Sequence, residues 1–439
     1  MADITDYVDL TITIQDAAVS IPNFGALCVV GHSPTGDAGL TKIAANSSGL
    51  TAYVDTYGGA TTDAAYKMLS AVIAQDVHTD DLYWYNNKNE PTVSLTLTPQ
   101  APFTEGKVYS MKLNGVEISY KLGAAEGAAE ISTSLHTQAA AITGVSSVDN
   151  TGSFTLSEAS SSFTSVFLTS MNFENFECET GSSSANDMSD DLDAALKANS
   201  DLYGFVVDVD SDTELADAAA WALTNKKLMI VRTKDTDSVD GNGLLDTVNA
   251  ANNTRCAVFV SDDDNGRADA ALMGQQLGYN PGEASFFGQR LNGVTASTMT
   301  SAQIAAIKAK NGITFTETRG VAFTDNNTTG AGRTLELQRN VDWLQARIEQ
   351  NVLTEIVNNT IIIMSDEGIA IIEKAIKEIM VEAEQNNVIL PGWELDIPKA
   401  SEITSADAAA GILRGFDFRA VAAVAAKKII INGTLSLAA

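Results

Sequence analysis

The chain has 439 residues, more than one ordinary core accommodates, so two or three domains are expected. Apolar residues make up 45% and charged residues 19%, the balance of a folded chain and not of a disordered one. Against 27 Lys and Arg stand 56 Asp and Glu, a formal charge of −29; a field of that sign repels phosphate backbones and anionic lipid and argues against nucleic-acid and membrane partners.

At the front, Val8, Leu10, Ile12 and Ile14 alternate with polar residues, the period of a strand with one buried face. The early Asp3, Asp6 and Asp9 replace the basic start of a signal peptide, and none is expected. No apolar run approaches the roughly 18 residues of a membrane span. From Gly25 the run Ala26-Leu27-Cys28-Val29-Val30 reads as a strand buried on both faces, and Thr62 to Gln75 as a helix, followed by a strand from Leu82 to Tyr85. Residues 90–184 change character. Val93, Leu95 and Leu97 alternate with Ser and Thr, and Asn114-Gly115 between alternating runs signals a hairpin. This stretch is expected to be a small β-rich domain inserted into the first.

Strand patterns resume at Tyr203 to Val209, Leu228 to Thr233 and Ala257 to Ser261. Helical patterns separate and follow them at Glu214 to Leu223, Leu244 to Asn252 and Arg267 to Leu277. Strands alternating with helices imply an α/β body, a parallel sheet wrapped by helices. Two long helices follow, Thr334 to Asn358 and Asp366 to Gln385, the second supported by Glu373 with Lys377 and Lys374 with Glu378. A short helix is read from Thr404 to Leu413. The chain ends as it began, with Ile429, Ile431, Leu435 and Leu437 on one parity. Such terminal strands either close their own sheet or add to a neighbour's.

The search for chemistry finds fragments only. Gly31 to Gly36 has the glycines of a phosphate loop but Asp37-Ala38 where Lys and Ser or Thr belong. Asp208, Asp210 and Asp212 begin like a calcium loop, yet Thr213 and Ala219 replace its glycine and its glutamate; Asp262-Asp263-Asp264-Asn265-Gly266 fails likewise at Leu272. Both follow strands at the carboxyl edge of the expected sheet, where ligands bind in such folds, and both also suit helix caps. Asn326 to Gly330 reads as a mobile loop. Cys28, Cys178 and Cys256 are too widely spaced for a disulfide framework or zinc site, with Cys28 and Cys256 expected to be buried thiols. His32, His78 and His136 lie apart, and no catalytic, metal or cofactor motif is present.

Taken together, the N-terminal strand followed by Pro22-Asn23-Phe24-Gly25, the β-rich insertion, Gly332-Arg333-Thr334 leading into Asn340-Val341-Asp342-Trp343-Leu344, and the closing Arg414-Gly415-Phe416-Asp417-Phe418 resemble the contractile tail sheath proteins of bacteriophages. The resemblance implies terminal strand arms at residues 1–20 and 426–439, a sheath core at 21–89 and 185–425 with its part from about 285 nearest the tube, and an outer domain at 90–184. It implies a non-enzymatic virion subunit, assembled in the host cytoplasm, that polymerises by exchanging the two arms. Its partners would be copies of itself, a tail tube protein, and baseplate and tail terminator proteins, with no cofactor. By order along the chain, Thr404 to Leu413, carrying Asp407, matches the family's tube-facing helix. Two other classes stay open: an α/β enzyme or binding protein with a site near Asp208 and Asp262, and a surface adhesin using the insertion.

Overall fold

The computed structural model describes residues 23–32, 38–57, 61, 63–87, 92–113, 115–142, 145–158, 168–172, 175–183, 188–209, 211–234, 243–263 and 265–427. The chain divides into two compact units, with breaks after Asn87 and before Met188. The first unit opens with β1 (Leu27–His32), β2 (Gly39–Ile43), α1 (Ser47–Tyr57), α2 (Ala64–Ile73) and β3 (Leu82–Asn87). The second holds β4 (Thr92–Pro99), β5 (Val108–Leu113), β6 (Val116–Lys121), α3 (Ala128–Ala140), β7 (Val145–Asp149), β8 (Phe154–Glu158), β9 (Leu168–Met171) and β10 (Phe176–Ser183). The first then resumes with α4 (Met188–Ala198), β11 (Gly204–Val207), α5 (Asp212–Asn225), β12 (Leu228–Thr233), α6 (Leu244–Ala250), β13 (Cys256–Val260) and α7 (Ala268–Leu277). It ends with α8 (Ser301–Ala309), β14 (Thr314–Thr318), β15 (Val321–Asp325), α9 (Leu335–Asn358), α10 (Asp366–Gln385), β16 (Glu394–Asp396), α11 (Ser405–Ala410) and β17 (Asp417–Arg419).

The first unit is an α/β body. Its sheet runs β13-β12-β11-β1-β3-β2, parallel except for β2, which lies antiparallel at the edge. Because both faces are covered, the first four residues of β1 and of β12 are all apolar, and they alternate between two cores. Leu27, Val29, Leu228 and Ile230 face the core that α2 and α7 complete with Leu69, Val72, Leu272 and Met273. Cys28, Val30, Met229 and Val231 face the core filled by Leu192 of α4, Leu215 and Ala218 of α5, and Leu244 of α6. The two cysteines read as buried are buried and free, and burial pushes both thiols up; Cys178 is free and exposed.

The second unit packs α3 and two antiparallel sheets, β10-β4-β8-β7 and β6-β5-β9, around Tyr109, Ile131, Leu135 and Phe154. At the read hairpin Leu113 pairs with Val116, and Gly115 takes φ +81°, as the second residue of a tight hairpin turn requires. Helix α3 was not foreseen in the β-rich stretch: its Ala, Ser and Thr residues give a weak stripe, with Ile131 and Leu135 its only large apolar anchors.

One buried cation in the body makes a test. After α5 the chain turns through Lys226 at φ +56°, and the Lys227 ammonium enters the interior to donate to Leu202 O at 2.6 Å and Ser200 O at 3.3 Å. Burial pulls its pKa down to about 8, against the attraction of Asp201 and Asp342. The folded state therefore binds fewer protons than the unfolded state between pH 8 and the ordinary lysine range, so the penalty is full below pH 8 and is relieved above it. Relative to Lys227→Met, the wild-type chain should gain on the order of 2 kcal/mol of stability as pH rises from 7.5 to 10, measured by paired urea unfolding curves. Parallel pH dependences would contradict this placement of the charge.

Candidate assembly surface

The helical layer begins with two capped helices. Thr334 caps α9 by accepting from Leu337 N at 3.3 Å, and Ser365 caps α10 by accepting from Gly368 N at 3.4 Å, with Asp366 and Glu367 in the first turn complementing the helix dipole. Gly368 permits the approach: a Cβ there would lie 1.8 Å from Ile363 O. Leu344, Ile348 and Val352 of α9 pack on Ile372, Ile376, Ile379 and Met380 of α10. On the outer side Lys374 sits 3.6 Å from Glu378 and Lys377 pairs with Glu373, the pairs read from the sequence.

The first half of α9 is bound to the sheet by charge. Asp342 pairs with Arg255, both about 1–2% exposed, and also accepts from Tyr203 Oη at 2.8 Å and Gln338 Nε2 at 3.0 Å. Burial pushes the Asp342 carboxyl up, while Arg255 and these donors oppose the shift. Arg339 donates to three backbone carbonyls: Gln276 at 2.8 Å, Tyr279 at 2.6 Å and Phe24 at 2.9 Å. The last contact fixes the start of the described chain. There Asn23 N donates to Asp201 O at 3.0 Å, and Phe24 packs on Tyr203.

The segment read as a mobile loop is a buried polar plug, and that reading is corrected. Asn327 and Thr329 have no exposed surface; Asn327 Nδ2 donates to the Glu336 carboxylate at 2.6 and 2.7 Å, and Asn326 Nδ2 to Gly312 O at 3.1 Å. Asn and Thr suit turns, but here their side chains satisfy backbone and carboxylate groups inside the fold.

Beyond Ile389 the character reverses. No residue from 390 to 427 is buried, although the segment holds β16, α11 and β17. Trp393, Leu395, Phe416 and Phe418 lean on the α9–α10 core, while Leu390, Ile397, Ile412, Val421 and Val424 stand exposed, Val421 at 65% and Val424 at 64%. β16 and β17 pair antiparallel, and beside them Leu390 N donates to Val421 O at 2.7 Å and Ala423 N to Val388 O at 3.1 Å. The result is a two-stranded ribbon whose outer edges have no strand partner among the described residues. Such a ribbon is marginal alone.

The short helix read from Thr404 to Leu413 is α11, confined to Ser405–Ala410 and without a buried residue. Thr404 caps it by accepting from Asp407 N at 3.1 Å, Gly411 ends it at φ +72°, and Asp407 is held below the usual carboxylate range by Arg414 and Thr404. Leu413 is half-buried. Val8, Leu10, Ile12, Ile14, Ile429, Ile431, Leu435 and Leu437 lie outside the described residues, as do residues 33–37 of the phosphate-loop fragment.

The acidic clusters sit at the sheet's carboxyl edge as read, where protein groups engage them. Asp208 pairs with buried Arg267 at 3.0 Å, and Arg267 pairs again with Asp269 at 2.9 Å. Burial works against Asp269's charge, but the guanidinium beside it holds its carboxyl below the usual range. Asp262 accepts from Thr298 N at 3.1 Å; Asp263 accepts from the backbone of Asn265, Gly266 and Thr295. Neither Asp208 nor Asp262 caps a helix, which corrects that reading. Between β1 and β11, where the strand order reverses and ligands enter such sheets, a Cβ at Gly31 would lie 2.8 Å from Asp208 Cβ and 2.9 Å from the Trp84 ring. Trp84 and the Asp208–Arg267 pair thus fill the crevice on its described side. Among the described residues no group of three or more His, Cys, Asp or Glu could hold a metal, and no helix is long and apolar enough to cross a membrane.

Comparison with solved structures decides the fold. The chain superposes on the sheath complex of an extracellular contractile injection system, PVC, in its contracted state with TM-score 0.52 and 11% identity, covering 99% of this chain and 98% of that one. The fold is that of a contractile tail sheath protein. A chain of the six-fold symmetrised anti-feeding prophage baseplate matches with TM-score 0.56 and 11% identity over 98% of this chain and 99% of its own. A sheath tail protein from Desulfitobacterium hafniense gives TM-score 0.49 and 12% identity over 94% and 100%. No protein-family model matches the chain, and no curated protein matches it by sequence. In this fold the layer from 390 to 427 has no fully buried residue.

Proposed function

We propose that the chain is the structural subunit of a contractile, bacteriophage-type tail sheath, polymerising around a tail tube and acting without catalysis. The observation that carries this reading is the segment 390–427, which has no fully buried residue and presents Leu390, Ile397, Ile412, Val421 and Val424 beside an open strand ribbon. Apolar patches of this kind mark surfaces that a partner covers. In the assembled particle the terminal segments, with Val8 to Ile14 and Ile429 to Leu437, add to the ribbons of neighbouring subunits, and the backbone bonds they form persist as subunits slide. Contraction is the passage from a metastable extended lattice to a lower-energy one, driving the tube through the target envelope. The segment Thr404 to Leu413 faces the tube, residues 90–184 form the outer domain, and baseplate and terminator proteins close the two ends.

The test places charge on the layer. Val421→Asp with Val424→Asp alters two exposed side chains and should leave the melting temperature within a few degrees of wild type, since surface changes cost little. Sedimentation should then show monomer under conditions where wild type assembles. Assembly at the wild-type concentration threshold would overturn the reading.

A further inference from the structure

A subunit that grows by strand addition has to direct that addition to one place, because any open edge accepts a strand. Two other strand edges are closed by backbone of their own unit. Along β13, Ile313 takes the neighbouring place, donating to Val258 O and accepting from Val260 N, each at 2.9 Å. The β14–β15 pair is flanked by coil on both sides: Ser297 N donates to Phe315 O at 2.8 Å, and Gly288 N donates to Thr324 O at 2.9 Å.

The outer strand β6 is treated differently. Ser110 of β5 and Ser119 of β6 face each other, and the backbone groups of both are engaged on the outward sides of the pair, as at every second position of an antiparallel ladder. On the β5 side Asn172 closes the position: Ser110 N donates to Asn172 Oδ1 at 3.0 Å, and Asn172 N to Ser110 O at 3.3 Å. On the β6 side a single carboxamide does the same. Ser119 N donates to Gln138 Oε1 at 3.2 Å, and Gln138 Nε2 donates to Ser119 O at 3.0 Å. Gln138 Nε2 lies also 3.3 Å from Ser134 O and 3.2 Å from Ser134 Oγ, so the amide is oriented by its own helix. Exposed Glu117 and Lys121 flank the position on β6.

We propose that Gln138 is an edge-blocking residue: its carboxamide reproduces the donor and acceptor of a neighbouring strand and closes β6 to β-augmentation. A primary amide offers a donor and an acceptor in one plane, so Gln138 pairs with both backbone groups of Ser119 without placing a charge on the edge. That the block helps to direct strand addition to the β16–β17 ribbon rests on the sheath reading; the blocking itself does not.

The experiment uses the full-length chain carrying Val421→Asp and Val424→Asp, so that association through the C-terminal layer is switched off. Into it go Gln138→Ala or Gln138→Glu. Amide exchange is read at Ser119 and self-association by sedimentation. Gln138→Ala should speed exchange at Ser119 about tenfold, the loss of one hydrogen bond's protection, and produce concentration-dependent dimers. Gln138→Glu, which keeps the acceptor for Ser119 N and adds a charge to the edge, should stay monomeric. Unchanged Ser119 exchange, or a Gln138→Ala chain as monomeric as its parent, would overturn the proposal. Equal aggregation of both variants would also overturn it, since a charged edge should not pair. None of these outcomes depends on whether the wild-type chain builds a sheath.

Discussion

Deleting residues 1–16, or Lys427 to Ala439, is expected to give a folded subunit that forms no tubes. The first deletion ends before Asn23, so it spares the anchor in which Arg339 holds Phe24 O and Asp201 O accepts from Asn23 N. The second begins at the end of a stretch with no buried residue. Among the described residues neither removes a member of an apolar core, and circular dichroism is expected to show wild-type helix content and a melting temperature within a few degrees. Electron microscopy should show loss of the polymer, because in the proposed sheath the exchanged strands supply the links between subunits. Normal tubes from both deletions would contradict strand exchange while leaving the fold untouched.

The largest single-residue loss of stability is expected for Asp342→Ala. It leaves Arg255 with a buried charge and removes the acceptor of Tyr203 Oη and Gln338 Nε2. Breaking one side of such a pair costs about 3–5 kcal/mol, because the remaining charge stays desolvated and loses the carboxylate it is paired with. Replacing both ions, as Asp342→Leu with Arg255→Met, should recover most of that loss, since an apolar pair of similar volume carries no such penalty. Urea unfolding of the three chains measures this. An Asp342→Ala chain within about 1 kcal/mol of wild type would show that the Arg255–Asp342 pair does not bind α9 to the sheet.

The α/β body was legible because strands buried on both faces are apolar at every position and helices repeat their apolar residues at three and four. Leu228–Thr233 and Asp366–Gln385 fall where the sequence places them. Elements with weaker periodicity were not seen. Helix α1, with Gly49 and Thr51 in its first half, and the β14–β15 hairpin, whose turn uses Arg319 and Gly320 at φ +53° and +78°, lack the usual signals. The polar seam of α9 was hidden for another reason. Gln338, Asp342, Gln345 and Glu349 recur at helical spacing and are buried, yet polar residues at that spacing ordinarily mark the solvent side. Only the fold reveals that Arg255 and Tyr203 meet Asp342 on that stripe. The candidate assembly surface was least legible, because exposed Val421 and Val424 in an Ala-rich stretch carry no motif; they stand out only because no residue from 390 to 427 is buried.

Negative-stain electron microscopy of the purified subunit across concentration and salt asks directly whether this chain builds a sheath. Hollow tubes or stacked rings are the predicted result. Uniform small particles under every condition would contradict it.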